Sequence, residues 1–276
     1  MKRRFANMKF FDTYLITANV HDFVSLNDPD SYSNIFDTFW DDEAIARFLP
    51  PFPRFSRLHE LNKLIIDGML LERLDDLTVD SLVNHPDEHL WLEEVFERYQ
   101  ISHKPFDKWL SESGIPISDL EEEHLHEYVN ILTNEGSYEE LLKVLSTEAF
   151  FLLFLNRGFL HKFNQLMANQ LASTEVACLS PENQSYMSKD GVLRRVSIPK
   201  WVRRAVFFRD RGLCVFCHCD LTGTVSTMPD KNFDHIVALA NGGVNDVTNI
   251  QLVCGNCNRV KGACSGRTSD EYEQWY

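Results

Sequence analysis

The sequence predicts a mainly helical protein, in which a long helical region precedes a small C-terminal domain of different construction. Residues 1–172 carry apolar side chains at helical spacing and few strand signals. Two Cys-x2-Cys pairs lie close together further along the chain, and charge is unevenly divided between the two regions. We therefore expect a helical domain over residues 1–172, a linker rich in small polar residues over 173–193, and a second domain over 194–276.

Charge separates the two regions. The chain has a net charge of −14, but from Gly191 onward 11 Lys and Arg residues stand against 8 Asp and Glu residues, whereas the first 190 residues carry 16 and 33. Between Arg194 and Arg211 seven basic residues accompany one acidic residue. We therefore expect the C-terminal domain to meet an anionic partner through this basic segment.

Four helices are predicted in the acidic region. Apolar stripes favour helices over residues 56–71, 87–99, 119–132 and 137–156, with Pro- and Gly-containing breakers between them. The histidines and acidic runs of this region form no recognisable catalytic motif. We expect the region to bind a protein partner or effector; the alternative is that it mimics DNA or masks the basic segment.

The cysteines and the apolar runs indicate the compartment. Seven cysteines, four of them in close pairs, and a basic start with no apolar segment after it favour a reducing compartment. The most apolar run covers only residues 149–155, far short of the roughly 20 residues that span a membrane. We expect a cytoplasmic protein with no membrane contact.

The two cysteine pairs, Cys214/Cys217 and Cys254/Cys257, are typical of one structural zinc ion. Four thiolates satisfy the tetrahedral preference of Zn2+, and a small domain with few large apolar residues needs such a cross-link. Cys219 follows Cys217 closely, so a shifted set with Cys219 in place of Cys217 stays open. Four ordinary reduced cysteines are the alternative interpretation.

The residues around these pairs complete a pattern. Asp234-His235-Ile236 lies between them, Asn249-Ile250-Gln251-Leu252 leads into the second pair, and Asn258 follows that pair on the way to Lys261-Gly262. In this order the motifs resemble the HNH endonucleases, or ββα-metal nucleases, in their zinc-stapled form, over roughly residues 194–266. The resemblance implies a small zinc-stabilised domain of a two-stranded hairpin and a helix, with a metal-dependent nuclease activity.

The resemblance also implies roles for single residues. His235 would be the general base, because an imidazole titrates near ~6.5 and accepts a proton from water at neutral pH. Asp234 and Asn258 would hold a catalytic Mg2+ or Mn2+ through their hard oxygen donors. Asn249 would fix the loop and orient His235.

A basic helix is predicted over residues 197–212, with Phe208 packed inward. Six basic side chains are expected to contact nucleic-acid phosphates. They are Lys200, Arg203, Arg204, Arg211, Arg259 and Lys261. A helix that only solubilises the surface is the alternative interpretation.

Together these patterns predict a metal-dependent endonuclease that hydrolyses phosphodiester bonds in double-stranded DNA, in a bacterial restriction or phage-defence setting. Two alternatives stay open. One is a non-catalytic zinc module that binds nucleic acid or protein. The other is a nuclease directed at RNA, since the motif does not encode the sugar.

Overall fold

The computed structural model describes residues 8–26, 35, 38–40, 46–47, 49–76, 79–84, 90–224, 233–263 and 266–274. The chain divides into two compact units. The first comprises Met1–Thr17 and Asn62–Ala149, and the second comprises Ala18–Leu61 and Phe150–Tyr276. Within the described ranges, no helix combines the length and the apolar character needed to cross a membrane.

The described part of the first 172 residues is mainly helical, as the sequence predicts. The helices with described bounds are α1 Thr13–Leu26, α2 Arg57–Asp75, α3 Val79–Asn84, α4 Trp91–Tyr99, α5 Phe106–Ser113, α6 Glu122–Glu135, α7 Ser137–Leu153 and α8 Arg157–Ala172. All four predicted helices are present, with ends that differ by a few residues. The predicted start at residue 87 lies outside the described residues.

Local hydrogen bonds set these helix ends. At the start of α2, the Nδ1 atom of His59 accepts the N–H of Ser56 at 3.0 Å, which satisfies a donor that the helix leaves unpaired. Near residue 119 the chain first forms a short 3-10 turn, Ile117–Asp119, and α6 begins only after Glu121. Apolar spacing does not locate such caps, so it misplaces the ends.

The C-terminal part contains short elements around one hairpin. They are α9 Pro181–Gln184, β1 Met187–Lys189, β2 Val192–Leu193, α10 Lys200–Arg209, β3 Phe233–His235, β4 Ile250–Leu252 and α11 Gly255–Lys261. The strands β3 and β4 pair antiparallel, so that Asp234 lies opposite Gln251 and His235 lies opposite Ile250. With α11 following β4 directly, this is the predicted arrangement of two strands and a helix.

The division into units differs from the domain boundaries expected from the sequence. The second unit joins residues 18–61 and 150–172 to all of the C-terminal residues. The predicted linker contains α9 and the β1–β2 hairpin, although it lacks helical periodicity. The domain boundaries that the sequence analysis places at residues 172 and 194 concern which parts of the chain fold independently, and they stay predictions.

Within the second unit, α8 supports the loop that joins β3 to β4. The hydroxyl of Thr248, which donates to Oδ1 of Asp246 at 2.8 Å, also lies 3.4 Å from Oδ1 of Asn164 on α8. Gly242 has a φ of +81° and lies so close to the carbonyl of Ala168 that an added Cβ would come within 2.7 Å of it. A side chain at this position would push the loop away from α8.

Candidate metal and catalytic site

The first cysteine pair lies in a tight turn that is bonded to the hairpin. The N–H of Cys214 donates to the carbonyl of Cys219 at 3.1 Å, and the N–H of His218 donates to the carbonyl of Cys214 at 2.9 Å. The N–H of Val215 donates to the carbonyl of Leu252 at 3.0 Å. These bonds hold the turn against the end of β4.

The second pair opens α11. Cys254 occupies the N-cap position, and its sulfur accepts the N–H of Cys257 at 3.4 Å. This hydrogen bond lowers the pKa of the Cys254 thiol to about 6. A thiolate is the form in which cysteine binds a metal, so the helix start prepares this residue as a ligand.

The four sulfurs form a group that could hold one zinc ion. Those of Cys214, Cys217, Cys254 and Cys257 all lie within 4.8 Å of one another, and the Cys217 and Cys254 sulfurs are 3.7 Å apart. A tetrahedral ion with Zn–S bonds of about 2.3 Å separates its ligands by about 3.8 Å. Cys219 lies outside this group, which supports the ligand set with Cys217.

A buried ion pair anchors α10 to β4. Arg209 donates to both carboxylate oxygens of Asp210 at 2.8 Å and to the carbonyl of Ile250 at 2.7 Å. The same carboxylate accepts the N–H of Leu252 at 2.9 Å. The two charged side chains are 1% and 0% exposed, so Arg209, one of the seven basic residues of the segment, supports the hairpin instead of facing solvent.

His235 lies in the interior next to Asn245. The residue is 4% exposed, and its Nε2 atom is 3.3 Å from Oδ1 of Asn245. Because Nδ2 of Asn245 donates to the carbonyl of Arg194 at 2.9 Å, Oδ1 is the acceptor and Nε2 carries the proton. Burial lowers the pKa of His235 to about 4. The ring is therefore neutral at pH 7, with Nδ1 as its proton acceptor.

The sequence reasoning did not single out Asn245. Its carbonyl accepts the N–H of Phe52 at 2.7 Å, and it is 5% exposed. The only signal in the sequence is an asparagine in the short loop between the two strands, where most such residues simply form turns. Its contact with the ring of His235 depends on how the loop folds back.

Asn249 fixes that loop from within. Its Oδ1 atom accepts the N–H of Val237 at 2.8 Å, and its Nδ2 atom donates to the carbonyls of Val237 at 3.0 Å and Val244 at 2.9 Å. The residue is fully buried. This geometry is suited to the expected loop-fixing role, whereas the contact with the ring of His235 is made by Asn245.

Asp234 faces a buried ammonium group. Nζ of Lys261 lies 2.8 Å from Oδ2 of Asp234 and donates to the carbonyl of His235 at 2.8 Å. The Lys261 side chain is 1% exposed. This position does not agree with the predicted phosphate contact of Lys261, because a buried ammonium that is already paired cannot reach a phosphate outside.

Asp234 and Asn258 carry the kind of oxygen donors that suit an oxygen-binding divalent ion. Oδ2 of Asp234 is buried and, among the described residues, receives no well-directed hydrogen bond, so the ammonium holds it by charge alone. Asn258 is half-buried on α11, three residues before Lys261 and thus on the same helix face. Carboxylate and amide oxygens are ligands that Mg2+ and Mn2+ accept.

The basic side chains of α10, of Arg211 just after it and of Arg259 divide into different environments. Lys200, Arg204 and Arg211 are exposed and Arg203 is half-buried; Arg259 on α11 is also exposed. Arg211 donates to the carbonyl of Glu273 at 3.2 Å. Four of these five side chains are exposed and therefore accessible to a phosphate, whereas that of Arg203 is partly buried.

Phe208 does not pack inward as predicted. It is 64% exposed, and the guanidinium carbon of Arg204 lies 5.6 Å from the centre of its ring. The buried positions of α10 are Val202, Val206 and Arg209. Position 208 follows 204 by four residues and therefore shares its solvent-facing side.

Comparison with known proteins identifies this part of the chain. Residues 214–263 match the family model of the HNH endonucleases, a segment that includes both cysteine pairs, β3, β4 and α11. The chain therefore carries an HNH endonuclease domain in this segment, which indicates a nuclease-type function. No curated protein and no solved structure matches the chain.

Proposed function

We propose that this protein is a metal-dependent endonuclease that hydrolyses phosphodiester bonds in double-stranded DNA and leaves 5′-phosphate and 3′-hydroxyl ends. The observation that carries the proposal is the match to the HNH endonucleases over the segment in which four clustered cysteines and the β3–β4 hairpin frame Asp234 and His235.

Asp234 and Asn258 are proposed to hold a Mg2+ or Mn2+ ion. Lys261 ties α11 to β3 through its contacts with Asp234 and the carbonyl of His235, and so keeps the helix that carries Asn258 against the strand that carries Asp234. When bound, the ion would polarise the scissile phosphate and stabilise the departing 3′ oxygen.

His235 is proposed as the general base. Oδ1 of Asn245 accepts a hydrogen bond from the Nε2–H of His235, which leaves Nδ1 free of a proton and able to take one from the attacking water. Because the residue is 4% exposed, the role also requires that the site opens to water when nucleic acid binds.

The basic face of α10 is proposed to seat the phosphate backbone, with Arg259 adding a contact from α11. Cationic side chains that displace counterions give nucleic-acid binding without sequence preference. In this proposal the basic face of α10 positions the duplex, and any sequence specificity would come from contacts with the bases.

A cleavage assay on supercoiled plasmid tests the proposal. The zinc-loaded full chain should nick and linearise the plasmid in Mg2+ or Mn2+, and His235→Ala should lower the rate by at least about 100-fold, as expected for loss of a general base. Lys143→Gln, an exposed change on α7 away from the hairpin and the basic residues, serves as a matched control for preparation and folding. Equal nicking by the wild type and His235→Ala would exclude His235 as the base.

The burial of His235 favours one second candidate, a zinc module that binds nucleic acid without cleaving it. The ring is enclosed and hydrogen-bonded to Asn245, as a structural histidine would be. In that case the plasmid would be retained in a gel-shift assay and left intact under every divalent ion tried.

A matched RNA substrate in the cleavage assay distinguishes a nuclease directed at DNA from one directed at RNA.

A bacterial restriction or phage-defence role is proposed from the presence of a nuclease domain beside a helical region that would bind an effector in the cytoplasm. The test is the plating efficiency of phages on cells that express the wild type or His235→Ala. Protection that disappears with the substitution supports the role, and equal plating on both strains contradicts it.

A further inference from the structure

Gln251 carries a buried oxygen that the rest of the fold leaves without a partner. The residue is 0% exposed, and its Nε2 atom donates to the carbonyl of Arg267 at 2.9 Å. That bond identifies the other atom of the amide as the oxygen. Oε1 is buried and finds no hydrogen-bond partner among the described residues.

Gln251 is also the direct cross-strand neighbour of Asp234. The antiparallel register places the two residues opposite each other, so both side chains leave the same face of the hairpin. His235 and Ile250 form the next pair, and their side chains leave the other face. The Gln251 amide therefore shares its face with the carboxylate that is proposed to hold the catalytic ion.

Both side chains thus present a buried oxygen that lacks a well-directed hydrogen bond, Oδ2 of Asp234 and Oε1 of Gln251. A buried acceptor without a donor lowers stability, and a bound ion is one of the few ways in which a folded protein satisfies it. A cation already lies at this face, since the Lys261 ammonium is 2.8 Å from Oδ2 of Asp234.

We propose that Gln251 is a further ligand of the divalent ion, bound through Oε1 beside Asp234. The inference rests on the proposed function, because it takes the Asp234 site as the ion site. The resemblance to the HNH endonucleases gave this residue no role. A neutral amide oxygen adds a hard donor without adding charge, which suits Mg2+ and Mn2+ better than Zn2+.

Mn2+ titration of the zinc-loaded full chain tests this assignment without using activity. Free Mn2+ is followed by electron paramagnetic resonance for the wild type, Asp234→Asn, Gln251→Leu and Gln251→Glu. Gln251→Leu keeps a similar volume and removes the oxygen, so we expect at least about tenfold weaker binding. Gln251→Glu restores an oxygen with charge, so we expect binding at least as tight as in the wild type.

A purely structural Gln251 gives a different pattern. In that case Gln251→Leu would leave Mn2+ affinity unchanged while Asp234→Asn abolishes binding, which overturns the inference and leaves the proposed ion site intact. Loss of binding in both Gln251 variants would equally overturn it, because the carboxylate should rescue a ligand. If the wild type shows no Mn2+ binding that depends on Asp234, the ion site of the proposed function fails together with this inference.

Discussion

The ammonium of Lys261 lies 2.8 Å from the carboxylate oxygen Oδ2 of Asp234, with the lysine side chain 1% exposed. The contact joins the last turn of α11 to β3 and places a positive charge against the proposed ion ligand. It gives the buried oxygen of this carboxylate a counter-charge, which a buried charge requires.

Removal of one member of this pair should destabilise the protein more than removal of both charges. We expect Lys261→Met to lower the free energy of unfolding by about 3 kcal/mol, because it leaves the partly exposed carboxylate of Asp234, whose Oδ2 atom is buried, without a counter-charge. Asp234→Asn combined with Lys261→Met should recover most of that loss. Urea denaturation of the two single variants and the double variant measures the coupling; additive losses would show that the two groups do not interact.

The zinc ligands can be separated from the neighbouring cysteine by metal content. Cys217→Ser should lose the bound zinc and most of the stability of the C-terminal elements, because the ion supplies folding free energy to such a small domain. Cys219→Ser, only two residues away, should keep one zinc per chain. Elemental analysis after dialysis against a weak chelator provides the count. Zinc retained by Cys217→Ser and lost by Cys219→Ser would mean that the shifted ligand set is correct.

Stability should fall in mildly acidic solution because of buried neutral histidines. Burial lowers the pKa of His59 to about 3. A histidine whose pKa is depressed by folding contributes stability that is fully present above the unfolded value near 6.5 and is lost as the pH falls toward the folded value.

The slope for this one residue is at most about 1.4 kcal/mol per pH unit in that window. His59→Gln removes this contribution, so its unfolding free energy should depend less on pH between roughly 6.5 and 4 than that of the wild type. Urea titrations at several pH values compare the two proteins. Parallel curves would show that His59 titrates normally in the folded chain.

The exposed face of α10 should control the salt dependence of DNA binding. Arg204→Gln should weaken binding of His235→Ala protein to a duplex and reduce the slope of log affinity against log salt by about 0.9, the value for one lost phosphate contact. Lys143→Gln, an exposed change on α7, is the charge-matched control. An unchanged slope for Arg204→Gln would place the DNA elsewhere.

Much of the domain's architecture was predictable from the sequence. The spacing of Cys214, Cys217, Cys254 and Cys257 predicted one group of four sulfurs, because x2 spacing allows both members of a pair to reach one ion. The helical periodicity of the first 172 residues predicted α2, α4, α6 and α7. The helices and the spacing within each cysteine pair depend on contacts that are local in the chain.

What sequence reasoning missed depends on contacts between distant residues. Lys261 is expected to contact a phosphate, and Arg209 belongs to the basic segment that is expected to meet an anionic partner. Both side chains are buried instead, because each pairs with a carboxylate and donates to a backbone carbonyl. The fold brings the side chain of Asn245 to the ring of His235. The register of β3 against β4 places Gln251 opposite Asp234. Contacts between residues far apart in the chain leave no local pattern in the sequence from which they could be predicted.

The most direct test of the ion site is a crystal structure of the zinc-loaded His235→Ala chain grown with Mn2+ and a short duplex. We expect an anomalous Mn2+ peak within about 2.0 to 2.4 Å of a carboxylate oxygen of Asp234 and of the Asn258 side-chain oxygen, distinct from zinc at the four cysteines. A well-ordered structure with Mn2+ absent from Asp234, and with Lys261 still paired to that carboxylate against the bound duplex, would contradict it.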